Sequence, residues 1–342
     1  MAQLNDADLG GFVPGGLPST DAPGDTIGCP VILEEDPAML GVEFAWGYYF
    51  VSARGSGVVG GQFLFQYDED WNLVETYVQQ SAATPWGGRD GEAIESENAL
   101  FFGAENGELV EYRWDPSTER LDLSQTVTIT VAGVGTIRAL AWDPNNEVFY
   151  TKNFGNPVYV FDRAGNLINL FANDARAYGA AYDPTTQTVW FHDYRIGASG
   201  SCDAPATRLV EWDPATGDYT GAAFDTDPAG DTSGFFCYIA GGLDIEVNGS
   251  DVTAIALSQA VAADQTTSVD FVQRVAITGD GVPCGGDPCR ADLDGDGVLT
   301  IFDFLAFQNA FDSGDLLADF DGDGVLTLFD FLAFQNEFDA GC

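Results

Sequence analysis

The sequence predicts a mainly β protein: a β-propeller of about five blades, or six if part of the N-terminal arm completes another, followed by a small helical module. Three observations carry that reading. Strand-like runs divided by turn signals recur through residues 41–280 with a period of about 40 to 50 residues and four strands to a period, the signature of propeller blades. Helical periodicity is scarce before residue 302, which excludes the common α/β enzyme folds. The C-terminal end repeats one segment, ADLDGDGVLTIFDFLAFQNAFDSG from Ala291 and ADFDGDGVLTLFDFLAFQNEFDAG from Ala318, and each copy ends in a helical pattern.

Residues 1–40, rich in Gly, Pro and Asp, form an extended arm, either a tail or a strap that packs on its own domain or on a neighbouring copy. The propeller follows over 41–280. One hairpin type aligns four times, in FLFQYDEDWNLVETY, LVEYRWDPSTERLDL, VYVFDRAGNLINLF and LVEWDPATGDYTGAAF, each turning at an aspartate: Asp68, Asp115, Asp162 and Asp213. A second hairpin type alternates with it. Together with an irregular first hairpin at Val42–Arg54 they give blades at about 41–80, 88–131, 135–173, 176–227 and 235–279. Evenly spaced strands also suit a stacked sandwich, but the four-strand period favours the propeller.

The turns follow from backbone chemistry. Asp-Pro at 115–116, 143–144, 183–184 and 213–214 pairs a side chain that bonds its own backbone with a ring that fixes the next φ, so these aspartates are structural. Trp46, Trp114, Trp142, Trp190 and Trp212 suit packing between blades. The insertion Gly197–Ala206 reads as a long loop, and Asn248-Gly249-Ser250 matches a glycosylation sequon.

Composition bounds the function. With 54 acidic and 12 basic residues the net charge is −42, which repels nucleic acid and anionic membranes alike. No stretch approaches the roughly 20 apolar residues of a membrane helix. No basic, apolar leader is visible at the N-terminus, and a mature secreted chain would have lost one. Six cysteines without metal-ligand spacing point to disulfides and an oxidising, extracellular or cell-surface location. Many pairings are open. The expected set is Cys29 with Cys284 and Cys289 with Cys342, each tying the ends of a domain, and Cys202 with Cys237 bracing the insertion.

Catalysis is poorly served. The one histidine, His192, stands beside a strand end without a nucleophile elbow and reads as a structural residue. A glycosidase needs only two carboxylates, and Glu43, Glu92, Glu95, Asp193 and Asp244 lie near inner hairpins. In so acidic a chain such candidates arise by chance, so no catalytic residue is assigned.

A Gly/Pro/Cys linker at 281–290 leads to the duplicated module, residues 291–342. Each copy opens with carboxylates at alternate positions and a glycine where the chain must turn tightly. A calcium loop of about 12 residues supplies oxygens from positions 1, 3, 5, 7, 9 and 12, with glycine at 6. Those positions hold Asp292, Asp294, Asp296, Val298 (through its carbonyl), Thr300 and Asp303 in the first copy, and Asp319, Asp321, Asp323, Val325, Thr327 and Asp330 in the second. From Arg290 to Cys342 there are 12 acids against one base, a charge of −11, so two calcium ions would fold the segment as well as bind it. The helices expected at Asp303–Phe311 and Asp330–Phe338 place Phe304, Phe307 and Phe311, and likewise Phe331, Phe334 and Phe338, on one face as a core.

The module resembles a dockerin, a duplicated loop-plus-helix domain that plugs into a partner. Cys289 and the final Gly341-Cys342 resemble the variant at the C-termini of secreted planctomycete proteins. The resemblance implies a partner surface at Ile301, Phe302, Leu305, Leu328, Phe329 and Leu332, facing a cohesin-like receptor or another copy of the chain. The expected function is a secreted, calcium-dependent attachment or structural protein, its propeller presented on a surface or polymerised as an extracellular filament. The alternative is a carbohydrate-active enzyme or a polysaccharide-binding propeller on the same anchor.

Overall fold

A computed structural model describes residues 31–33, 39–54, 62–79, 87–155, 157–173, 175–196, 202–226, 235–249, 251–262, 268–278, 301–313, 318, 320 and 326–340. The chain divides into two compact units, Met1–Val282 and Pro283–Cys342.

The first unit is a five-bladed β-propeller. It begins with β1 (Val31–Leu33), then forms four blades in which each strand pairs with the next. The first holds β2 (Met39–Ala45), β3 (Tyr48–Ala53), β4 (Phe63–Tyr67) and β5 (Leu73–Val78). The second holds β6 (Gly91–Ile94), β7 (Ala99–Gly103), β8 (Glu108–Asp115) and β9 (Arg120–Thr130). The third holds β10 (Ala139–Asp143), β11 (Val148–Lys152), β12 (Val158–Asp162) and β13 (Leu167–Phe171), and the fourth β14 (Ala177–Asp183), β15 (Thr188–Ile196), β16 (Cys202–Asp213) and β17 (Asp218–Asp225).

The fifth blade closes the ring. Its strands β18 (Phe235–Asn248), β19 (Asp251–Ala262) and β20 (Ser268–Thr278) take their fourth member from the other end of the chain: β1 pairs antiparallel with β20, Val31 opposite Val272. The end of the arm therefore completes the fifth blade and adds no sixth. This lap joint holds the ring through main-chain hydrogen bonds, which no short-range pattern in residues 1–40 reveals.

Packing between blades makes the core. Five apolar clusters correspond to the five interfaces of the ring, and each joins side chains of two neighbouring blades. Tryptophans serve there as expected. Trp212, fully buried, meets Tyr150 and Phe171 of the third blade, and Trp46 stacks on Trp114 across the first interface at 4.9 Å. The aspartate-led turns behave as their chemistry dictates: Asp115, Asp183 and Asp213 each accept the N–H two residues on, at 2.8 to 2.9 Å. The last turn residue is left-handed in the Asp-Pro turns, at Glu119, Glu147, Gln187 and Gly217, and only the fourth uses glycine. The insertion after Ile196 is shorter than expected, because β16 takes up at Cys202 and extends the ladder.

The second unit contains α1 (Ile301–Ser313) and α2 (Leu328–Ala340), each two residues longer at both ends than the pattern suggested. At the start of α2 the reason is a cap. Thr327 stands just before the helix and its N–H donates to Asp330 Oδ2 at 2.5 Å, the reciprocal half of a capping box. Asp330 therefore lies inside the first turn instead of opening it.

Candidate functional site

The duplicated helices meet about a local two-fold. Phe307 and Phe334, equivalent residues of the two copies, stack at 4.4 Å, and the equivalent pair Phe304 and Phe331 meets at 6.2 Å. All six phenylalanines assigned to the core from their spacing are in it, with Phe320 added between them. An isolated 13-residue helix is marginal, so this aromatic core is what stabilises both.

The leucines expected at the partner surface stay out of that core. Leu305 is 45% exposed, its counterpart Leu332 is 44% exposed, and Leu328 is 69% exposed. Ile301, Phe302 and Phe329 lie on the same helices, but their side chains lie outside the described residues. So do Asp292, Asp294, Asp296, Val298, Thr300, Asp319, Asp321, Asp323, Val325 and the Asp303 side chain. Of the proposed oxygen donors, Thr327 and Asp330 are described, and Asp330 is fully buried at the start of α2. Cys202 begins β16 and Cys237 sits on β18, but their side chains and the other four cysteines are likewise outside.

The propeller has its own concentration of unusual residues, on its axis. The first strand of each blade is innermost, and β2, β6, β10, β14 and β18 adjoin one another around the ring. Their inner edges carry main-chain N–H groups with no neighbouring strand, and buried donors of that kind require acceptors. Asp90, just before β6, supplies one. Its Oδ2 accepts from Leu140 at 3.1 Å and Ala180 at 2.8 Å, and its Oδ1 from Leu243 at 3.0 Å. One carboxylate thus ties the inner strands of three other blades. It fits because small residues stand at the matching positions: a Cβ on Gly242 would lie 2.5 Å from Asp90 Oδ1, and one on Gly41 would lie 1.9 Å from the Arg89 carbonyl oxygen.

Two residues further along the inner strands, three more carboxylates repeat the device between neighbours. Asp244 Oδ2 accepts from Phe44 at 3.0 Å, Glu43 Oε1 from Ala93 at 2.7 Å, and Glu92 Oε2 from Trp142 at 2.8 Å. Burial raises all three pKa values. For Glu43 the charges of Asp244 and Glu92 add to the rise, for Glu92 that of Asp244 does, and Asp244 itself is pushed up to about 6. Burial likewise holds Asp90 well above the ordinary range, against the three N–H bonds that lower it.

Three of the five carboxylates singled out in the sequence therefore converge on the axis. Glu95 sits beside them on a short 3-10 turn, with Oε1 accepting from Trp46 N–H at 2.7 Å. Asp193 does not join: it accepts from Arg176 N–H at 2.6 Å and Arg208 Nε at 2.9 Å. His192 is buried, with Nε2 2.9 Å from Thr226 Oγ1, and burial lowers its pKa to about 4, so it is a neutral structural residue.

No family model matches the chain, and no curated protein matches it. Among solved structures it is similar to the hydrazine synthase of Kuenenia stuttgartiensis, at 11% identity and a TM-score of 0.39, over 69% of this chain and 66% of that one. The chain thus spans just under two thirds of that structure's length, and a likeness at this score bears on nothing further.

Sequence reasoning missed Asp90. Its signal was a contrast across repeats: an aspartate at one inner-strand position where the other blades carry Gly41, Ala139, Gly179 and Gly242. Only an alignment of the five inner strands exposes it, and β18 is too long and bulged for its register to be read in advance.

Proposed function

We propose that the chain is a calcium-dependent attachment protein, in which a β-propeller is presented or polymerised through a dockerin-like module. Calcium held by Asp292, Asp294, Asp296, Val298, Thr300 and Asp303, and by their counterparts from Asp319 to Asp330, folds the module. Folding brings Leu305, Leu328 and Leu332 onto an apolar surface that inserts into a protein partner, either a cohesin-like receptor or the next copy of the chain.

The observation that carries this reading is the division of labour in the duplicated helices. Their phenylalanines share one core, while matched leucines at equivalent positions stay exposed to nearly the same degree. Packing alone gives no reason to repeat an exposed leucine, and exposed apolar clusters mark interaction surfaces. A head-to-tail contact that does not close on itself would extend into a fibre, the arrangement expected if the partner is a second copy. Among alternatives, the axial carboxylates favour structure over catalysis, since each spends an oxygen on a neighbouring blade's N–H.

The test is sedimentation and electron microscopy of the full chain with calcium and after chelation, alongside binding to surfaces of the source material. Calcium-dependent assembly or capture, abolished by Asp292→Ala with Asp319→Ala, supports the proposal. Equal behaviour with and without chelator, or in the double variant, overturns it.

A further inference from the structure

Basic side chains are scarce, 12 against 54 acids, yet three of them come together at one end of the propeller axis. Arg138 and Arg176 immediately precede β10 and β14, and Arg89 stands two residues before β6, so the ring brings successive blades' arginines to the end of the axis opposite Glu43, Glu92 and Asp244. Tyr178 lies among them, and its electrostatic neighbours are Arg138, Tyr194, Arg176 and Arg89.

Arg89 is buried, and its Nη2 donates to Glu105 Oε1 at 3.0 Å. Burial and the charge of Arg138 lower its pKa to about 10. Arg138 is also held in place. Its Nε donates to Asn153 Oδ1 at 2.9 Å, and its guanidinium lies 4.1 Å from the centre of the Phe154 ring and 4.9 Å from that of Tyr178. The two terminal nitrogens of Arg138 and the hydroxyl of Tyr178 have no hydrogen-bond partner among the described residues. Burial keeps that hydroxyl protonated.

A fixed guanidinium whose paired donors are unused, with a second cation beside it, is the arrangement that receives an oxyanion in two-pronged fashion. We propose that this end of the axis is a binding site for an acidic saccharide, through the oxyanion of a uronate carboxylate or a sulfate ester. The Arg138 fork takes two oxygens, and Arg89 and exposed Arg176 supply further positive charge. The Tyr178 hydroxyl and the Asn153 amide nitrogen beside the fork offer partners for ring hydroxyls, which favours a saccharide carrier over an acidic peptide. The inference is independent of the docking module and goes beyond attachment.

The experiment titrates the full chain, in calcium, with trigalacturonate and with glucose 6-sulfate, and uses maltotriose and hexaglutamate as controls. Saturable binding of either acidic sugar is expected, with maltotriose inert, hexaglutamate much weaker, and affinity reduced about tenfold or more by Arg138→Gln. Arg176→Gln, on an exposed side chain, is expected to weaken binding by a smaller factor and decides the matter if Arg138→Gln does not fold. No binding of either acidic sugar, equal binding of maltotriose, equal or tighter binding of hexaglutamate, or unchanged affinity in the folded variants would overturn the proposal. Because the readout is a soluble ligand, failure here leaves calcium-dependent attachment untouched, and the reverse also holds.

Discussion

Asp244→Asn gives the sharpest test of the axial carboxylates. In the folded chain the Asp244 pKa is pushed up to about 6, first by burial, whereas an unfolded aspartate titrates near 3.9, a gap of about two units. A raised folded pKa means that the group's contribution is fully present below about pH 4 and is lost as pH rises through about 6. At pH 8 the ionised side chain therefore costs about 3 kcal/mol, at 1.36 kcal/mol per unit. Asparagine removes that cost and keeps an acceptor for Phe44 N–H, but it gives up the second oxygen, which accepts from Ile245 N–H, a loss of about 1 kcal/mol. The variant is expected to gain about 2 kcal/mol at pH 8, roughly 4–8 °C in Tm for a unit of this size, and to be slightly less stable than the parent at pH 4. Glu43 and Glu92, each raised in part by Asp244, add to the gain. All seven tryptophans lie before residue 213, so fluorescence-detected melting between pH 4 and 8 follows the propeller alone. Parallel melting curves, with the same loss at both ends of the pH range, would refute the reasoning by showing that this charge is compensated.

Asp90→Ala removes the acceptor of three buried N–H groups and is expected to cost about 3 kcal/mol or more, most of it recovered in Asp90→Asn; urea unfolding by fluorescence checks both. Phe334→Ala opens the stacked centre of the module and is expected to cost about 3–5 kcal/mol, read as lost helical circular dichroism in a fragment or lost protease resistance in the full chain. Leu305→Asp with Leu332→Asp, on exposed positions, is expected to leave helix content unchanged and abolish calcium-dependent assembly or capture. Deleting residues 1–33 removes β1 and exposes the β20 edge, so a lower propeller Tm and concentration-dependent aggregation are expected by light scattering.

Local chemistry made much of this fold legible. The 40-to-50-residue period placed the blades, the Asp-Pro turns formed where aspartate and proline dictate, and the i, i+3, i+7 spacing of Phe304, Phe307 and Phe311 named a core that the helices share. What stayed hidden was non-local. Pairing of Val31 with Val272 joins the first and last strands of the propeller, and nothing near either residue encodes the other. Glu43, Glu92 and Asp244 were visible as acids near inner hairpins, but their common reason, capping the free N–H groups of the next blade, appears only once the ring is closed. α2 begins before its expected limit because the Thr327–Asp330 cap starts it ahead of its first buried carboxylate. The arginines at the other end of the axis come from positions 89, 138 and 176, and only the blade geometry gathers them.

Isothermal titration of the full, metal-stripped chain with calcium, followed by far-ultraviolet circular dichroism, bears most directly on the proposed role of the duplicated C-terminal module. The account predicts two ions per chain, a rise in helical signal on binding, and loss of one ion in Asp292→Ala and in Asp319→Ala separately. No calcium uptake, or uptake unchanged in both variants, would contradict it.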